Sequence, residues 1–346
     1  MAVLNAERND QATFAAPTST CPGRIGQPAE WLRYLTERCV IIPAADVLPK
    51  RAALFLADAI GFVDAMLPTE TGRIARQEAT ASRGLRGWRA RVLGGRRLAG
   101  PYRDLVVLRR FRRGREHPRD WKAIEVNGDI VHRLLEQNRS FIVATAHFHH
   151  AAEIVVPDVL ITRSAGWSPG SAIPARRLAP RVLRERLQNH LLYNLEPKLV
   201  GRPASPVLPY VGEGDVMAAM VAHLKQPGAV VRIFIDAHWE KPSAHRRSFA
   251  GIGDRGFALG VTRLARTTQC PVLTCVCTYD SHDTVRVEWG PCVEPPAPED
   301  TSLDVANLDR LLDVLERAVG NHPEQYLHPM GFDRCWRADE QRWVDG

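Results

Sequence analysis

A chain of 346 residues with 45% hydrophobic content has enough apolar mass to bury a sizeable core, as one large domain or as two tightly joined parts. It contains no run of 18 uncharged apolar residues, which excludes a membrane-spanning helix. Net charge is +7, and all of the 46 basic residues except Lys50, Lys122, Lys198, Lys225 and Lys241 are arginine, so the surface suits acidic partners: phospholipid headgroups, an acidic carrier protein or nucleic acid.

Residues 1–28 are rich in Ala, Thr, Gln and Asn without periodicity and read as a mobile tail. They lack a basic start followed by an apolar stretch, so no secretory signal is visible, and seven cysteines in no framework spacing suggest reduced thiols in a cytosolic setting. Residues 29–124 read as an amino-terminal helical, basic region. Within it Leu54, Phe55, Ile60, Phe62, Val63 and Met66 predict a helix over 51–67 that packs on the core or lies at a membrane interface. The densest basic block spans 83–119, with Arg109, Arg110, Arg112 and Arg113 around Phe111 and with Trp88 and Trp121 at its flanks. Basic residues interleaved with aromatics can bind nucleic acid, yet no nucleic-acid motif accompanies them, and a membrane surface or carrier protein is the preferred partner.

From residue 125 to 346 the pattern changes to alternating strands and helices. Apolar runs predict strands near 141–145, 230–235, 272–277 and 285–289; helices are expected near 130–137, 216–225, 257–266 and 303–319. That alternation argues an α/β core. Cys275 and Cys277 fall on one face of a strand and read as packing. Gly251-Ile252-Gly253-Asp254-Arg255-Gly256 matches G-x-G-x-x-G, but the residues before it, 245–250, make a poor strand, and no acidic residue stands at the ribose position expected about 20 residues on. The glycines are read as shaping a loop.

The chemistry concentrates where the apolar run 141–143 ends in His147, Phe148, His149 and His150, with Glu153 beyond. Catalytic groups in open α/β sheets collect at carboxyl ends of strands. Each histidine has a bland reading as a satisfied core or surface residue. A zinc reading rests on the H-x-H of His147 and His149, which resembles the zinc loop of the metallo-β-lactamase fold, but the following Asp and His of that loop fall on Ala151 and Ala152. The third reading is a general base oriented by a carboxylate. On a regular helix His149 or His150 would face Glu153 better than His147 does.

His147, Phe148 and Glu153 resemble the active-site motif of the lipid A biosynthesis acyltransferase family, bacterial enzymes related to the lysophospholipid acyltransferases. The family places four residues between its His and its Asp or Glu; here there are five. Other blocks follow in family order. Upstream stands Glu125-Val126-Asn127-Gly128; downstream come the strand ending in Asp236 and Phe249-Ala250-Gly251, where the family has F-F-G. After these come Gly260, Leu264, Ala265, Cys270, Pro271 and Val272, and then His322-Pro323-Glu324-Gln325-Tyr326. The likeness spans about 51–336.

The resemblance implies a mixed, mostly parallel central sheet flanked by helices, with a helical amino-terminal region. It also implies transfer of a fatty acyl group from an acyl carrier protein or CoA thioester to a hydroxyl or amine of a lipid or glycolipid. His147 would be the base and Glu153 its orienter, with no metal and no cofactor beyond the thioester co-substrate. Asp236, Arg246, Arg247, Phe249 and Gly251 are the candidate substrate-side residues, the arginines as phosphate or oxyanion contacts. The expected location is the cytoplasm, peripherally on the membrane face. A zinc hydrolase built on the histidine cluster and a divergent acyltransferase acting on a small secondary metabolite are the alternatives; oligomeric state is not legible.

Overall fold

The computed structural model describes residues 32, 35–67, 70–117, 120–149, 164–167, 216–236, 244–251, 254–326, 334–337 and 342–345. The expected tail 1–28 and Glu153 lie outside them. Strand β2 (Phe141–Thr145) is buried at every position, and its side chains alternate between two cores. Phe141 and Val143 join one apolar cluster; Ile142 and Ala144 join the other. A continuous apolar strand is therefore the sequence mark of a sheet covered on both faces.

The sheet has six strands in the order β1-β8-β7-β2-β4-β3, with β1 at Lys122–Val126, β3 at Ser164–Trp167, β4 at Val230–Phe234, β7 at Val272–Ser281 and β8 at Thr284–Val293. All neighbours pair in parallel except β7 with β8. The protein is thus α/β, with a mixed, mostly parallel sheet between helices. One face carries α6 (Val216–Leu224), α7 (Gly260–Thr268) and α8 (Asp304–Asn321), through Met220, Leu264, Leu311 and Leu315. The other face takes α2 (Lys50–Met66), α4 (Gly87–Arg112) and α5 (Asp129–Glu136), through Leu54, Val106 and Val131. A π-helical turn, Glu37–Ile41, leads into α1 (Ile42–Val47), and α3 (Glu70–Arg83) lies against α4.

Several sequence expectations shift. Strands β7 and β8 run beyond their apolar stretches because the antiparallel ladder continues through Thr278 and Tyr279. Phe257 closes a strand instead of opening a helix, and α7 begins at Gly260. Residues 245–250, a poor strand by pattern, contain β5 (His245–Ser248), paired antiparallel with β6 (Asp254–Phe257). The G-x-G-x-x-G therefore joins two strands of a hairpin and opens no helix, so the helix N-terminus that holds a pyrophosphate is missing from it. A further hairpin pairs β9 (Arg334–Arg337) with β10 (Arg342–Asp345).

Part of the basic, aromatic block is engaged within the fold. Phe111 and Trp121 are buried and meet edge to face. Arg109 forks onto Asp46 at 2.9 and 2.6 Å, Arg110 binds Glu116 at 2.5 Å, and Lys50 lies over the Trp121 ring while pairing with Glu116 and Asp283. These cations hold α4 to its neighbours.

Candidate functional site

Strand β2 ends at Thr145, and the chain turns at once: the Phe148 N–H donates to the Ala146 carbonyl at 2.8 Å, a γ-turn centred on His147. Two residues past the end of the neighbouring strand β4 stands Asp236, with no exposed surface. Its Oδ1 lies 2.7 Å from Nδ1 of His147, and its Oδ2 accepts the His147 backbone N–H at 2.9 Å. One carboxylate thus fixes both the ring and the backbone of His147. The ring also stacks on Phe234, centroids 4.5 Å apart, and the side chain retains 21% exposure.

Asp236 is itself held in a buried polar group. Tyr326, from the H-P-E-Q-Y block, is fully buried, and its phenol is pushed well above its usual range, first by burial and then by the negative charge of Asp236, with Arg255 opposing. Arg97 donates to the Tyr326 carbonyl at 3.2 Å and pairs with Glu78 at 2.6 Å, both side chains almost without exposure. Gln325 latches onto the Tyr279 backbone with both ends of its amide, at 2.7 and 2.8 Å. The same economy explains Glu125-Val126-Asn127-Gly128. Glu125 accepts from the Trp289 indole at 2.7 Å, and Asn127, in a left-handed conformation, donates to the Trp289 carbonyl.

His149 turns the other way. Its Nδ1 lies 3.0 Å from Asp104 of α4, the Tyr279 hydroxyl donates to the same oxygen at 3.0 Å, and the imidazole stacks on the Tyr279 ring. Burial first, and then Asp104, pushes the Tyr279 phenol well above its usual range, so it stays a donor. Side-chain exposure of His149 is 4%. The Asp104 partnership was missed in sequence because nothing marks one aspartate inside a 26-residue helix as the partner of a histidine 45 positions away.

The candidate residues therefore separate. The structure brings Asp236, read as a substrate-side residue, onto Nδ1 of His147, the place foreseen for Glu153; Glu153 and His150 lie outside the described residues. Arg246 and Arg247 are successive residues of β5 and so point to opposite faces of the hairpin. Arg247 has an architectural employment: it pairs with Asp309, Asp313 and Glu316 of α8 at 3.1, 2.8 and 2.7 Å. Phe249 is wholly buried against Phe257, a core contact. Gly251 is exposed, at φ +72°, in the turn where Glu316 also receives the Ala250 N–H. Among the described residues no group of three or more His, Cys, Asp or Glu is placed to hold a metal ion. His147 and His149 each give Nδ1 to a different carboxylate.

Fold and site together define an α/β protein that presents a histidine–aspartate dyad at the carboxyl edge of a mixed sheet. No family model matches the chain, and no curated protein does. Among solved structures the chain is similar to the 1-acyl-sn-glycerophosphate (LPA) acyltransferase PlsC from Thermotoga maritima. Identity is 13%, the match covers 80% of this chain and 98% of that one, and the TM-score is 0.33.

Proposed function

We propose that the protein is an acyltransferase that moves a fatty acyl group from a thioester to a hydroxyl or amine acceptor, with His147 as general base and Asp236 as its orienting partner. The observation that carries this reading is the 2.7 Å contact between Nδ1 of His147 and a wholly buried carboxylate at the ends of adjacent strands. With Nδ1–H donating to Asp236, the lone pair lies on Nε2, the nitrogen that takes the acceptor's proton as it attacks the thioester carbonyl. Asp236 then stabilises the imidazolium formed, which returns the proton to the departing thiolate as the C–S bond of the tetrahedral intermediate breaks and the thiol leaves. An acyl thioester is already activated, so the remaining work is to align the acceptor and stabilise the oxyanion. The order of sequence blocks supports the acyl-transfer reading, and a lipid or glycolipid acceptor with an acyl carrier protein or CoA donor is its finer form.

Purified protein incubated with acyl-CoA or acyl carrier protein thioester and a bacterial lipid extract should yield acylated product by mass spectrometry. His147→Ala should cut turnover by at least ~100-fold. Activity that disappears with a strong chelator, together with stoichiometric zinc, would replace this reading by the zinc-hydrolase one.

Peripheral membrane attachment belongs to the same proposal. Among the described residues no helix is long and apolar enough to cross a membrane. Phe55, Val63 and Met66 on α2, Val47 on α1, Trp88 on α4 and Leu48 and Leu67 beside the helices leave apolar side chains exposed in the amino-terminal region. Basic residues near an anionic surface add on the order of 1 kcal/mol each. Flotation should show binding to anionic vesicles that weakens with salt and with Phe55→Ser; equal binding to neutral vesicles, or none, contradicts the electrostatic part.

A further inference from the structure

A cavity of about 630 Å³ lies against the second histidine, within the range usual for small-molecule sites. Its wall includes Asp58 of α2, Arg96 and Arg103 of α4, His149, Tyr279 and Glu324. Asp104 holds Nδ1 of His149 and is not part of that wall, so the edge of the imidazole offered to the cavity is the Nε2 side. That nitrogen makes no hydrogen bond to any described residue although His149 is 97% buried, with 3% relative exposure. With Nδ1–H given to Asp104, Nε2 is an acceptor that requires a donor.

The remaining wall narrows the ligand. It mixes two guanidiniums with three carboxylates, those of Asp58, Asp280 and Glu324, so a small anion would meet repulsion as well as attraction. Arg103 lies 3.6 Å from Asp58, and its Nε is buried without a hydrogen-bond partner. Asp58, Arg96, Arg103, His149 and His282 all line the cavity, and burial raises the Asp58 carboxyl while these cations and histidines pull it back. Apolar and polar surface share this lining about equally, Phe62 and Val92 on the apolar side; that mixture suits the C–H and O–H faces of one small molecule, whereas a hydrocarbon chain would strand the polar half without partners. A hydroxyl donates to an imidazole or carboxylate and accepts from a guanidinium through the same oxygen.

We propose that this cavity is a binding site for a small, neutral, hydroxyl-rich molecule, a polyol or sugar, with one hydroxyl donating to Nε2 of His149. The site is separate from the His147–Asp236 dyad, and its existence does not depend on acyl transfer.

The test uses the full, unaltered chain. Carbethoxylation by diethyl pyrocarbonate is followed at individual histidines by peptide mass spectrometry, alone and with glucose, sorbitol or inorganic phosphate. Glucose or sorbitol should slow modification of His149 by about threefold at a concentration twice the dissociation constant, while exposed His132 reacts at an unchanged rate. Protection by phosphate alone would make the cavity an anion site and overturn the proposal. So would an unreactive His149, which would deny the open Nε2, or equal slowing at every histidine. In a second measurement, calorimetric heat from glucose binding should vanish in His149→Phe; heat that persists unchanged in that folded variant places the ligand elsewhere.

Discussion

His147 and His149 stand two residues apart in sequence, yet each has its own buried aspartate, on opposite sides of strand β2. His147 leans to β4 and Asp236; His149 leans to α4, β7 and Asp104. As hydrogen-bonded pairs they are nearly the same object, at 2.7 and 3.0 Å. Their surroundings differ. The first histidine keeps a fifth of its surface at the carboxyl edge of the sheet, and the second is sealed to 4% beside a cavity. A histidine–aspartate contact alone therefore does not designate the base. Position at the strand end and access for a reacting group are the features on which the proposal of His147 rests.

Neutralising each aspartate in turn separates the two pairs most strongly. Asp236→Asn preserves shape but supplies the wrong partner for the His147 tautomer, and turnover should fall by about 10²–10⁴-fold. If Asp104→Asn instead caused the larger loss of turnover, the assignments of the two pairs would have to be exchanged.

What the sequence revealed follows from the same difference. The strand carrying His147 is an unbroken apolar run, so its end was visible, and Asp236 was visible for the same reason, at the end of the run 230–235. Asp104 was hidden because a helix records its neighbours only through tertiary packing, and the surrounding sequence reads simply as basic. Strand β1 was missed because it is an edge strand whose positions are mostly exposed or half-buried, leaving no apolar run to read. The β5–β6 hairpin was missed because His245, Arg246 and Arg247 are polar, and its docking to α8 relies on ion pairs that have no periodicity. The basic block is only partly legible from composition, because Asp46 and Glu116 claim Arg109, Arg110 and Arg113 through tertiary contacts that leave no pattern in sequence.

Stability should separate the pairs as well. Asp104→Ala leaves the Tyr279 hydroxyl and the Nδ1–H of His149 without their acceptor in a buried setting, and each such orphan costs about 1–3 kcal/mol. Chemical denaturation should therefore show a loss of about 2–6 kcal/mol. A loss within error of zero would mean that water already serves these groups.

A gentler probe acts through the helix that carries Asp104. Gly61 of α2 lies so close to α4 that an added methyl would collide with the backbone of Ala99. Gly61→Ala must push the helices apart, at about 1–3 kcal/mol for overpacking. Because Asp104 rides on α4 and Asp236 does not, carbethoxylation of His149 should accelerate while that of His147 changes little. A variant as stable as the parent, with both rates unchanged, would show that the crossing adapts without strain.

The smallest effect is expected at the other side of α4, where Asp46 meets Arg109. Its carboxyl is held below the usual range, chiefly by the Arg109 hydrogen bond and then, against some desolvation, by the charges of Arg109 and Arg113. A carboxylate with a lowered folded-state pKa contributes stability that is present above its ordinary pKa and disappears as pH falls through the folded value. Asp46→Asn should thus cost no more than ~1 kcal/mol at neutral pH, since both partners are partly exposed and screened. The gap between variant and parent should narrow below about pH 4, as the parent's Asp46 takes up its proton. High salt should narrow it too. Urea titrations at neutral and acidic pH measure both gaps, and a difference that stayed constant across them would assign the effect to lost packing, with the ion pair contributing nothing measurable.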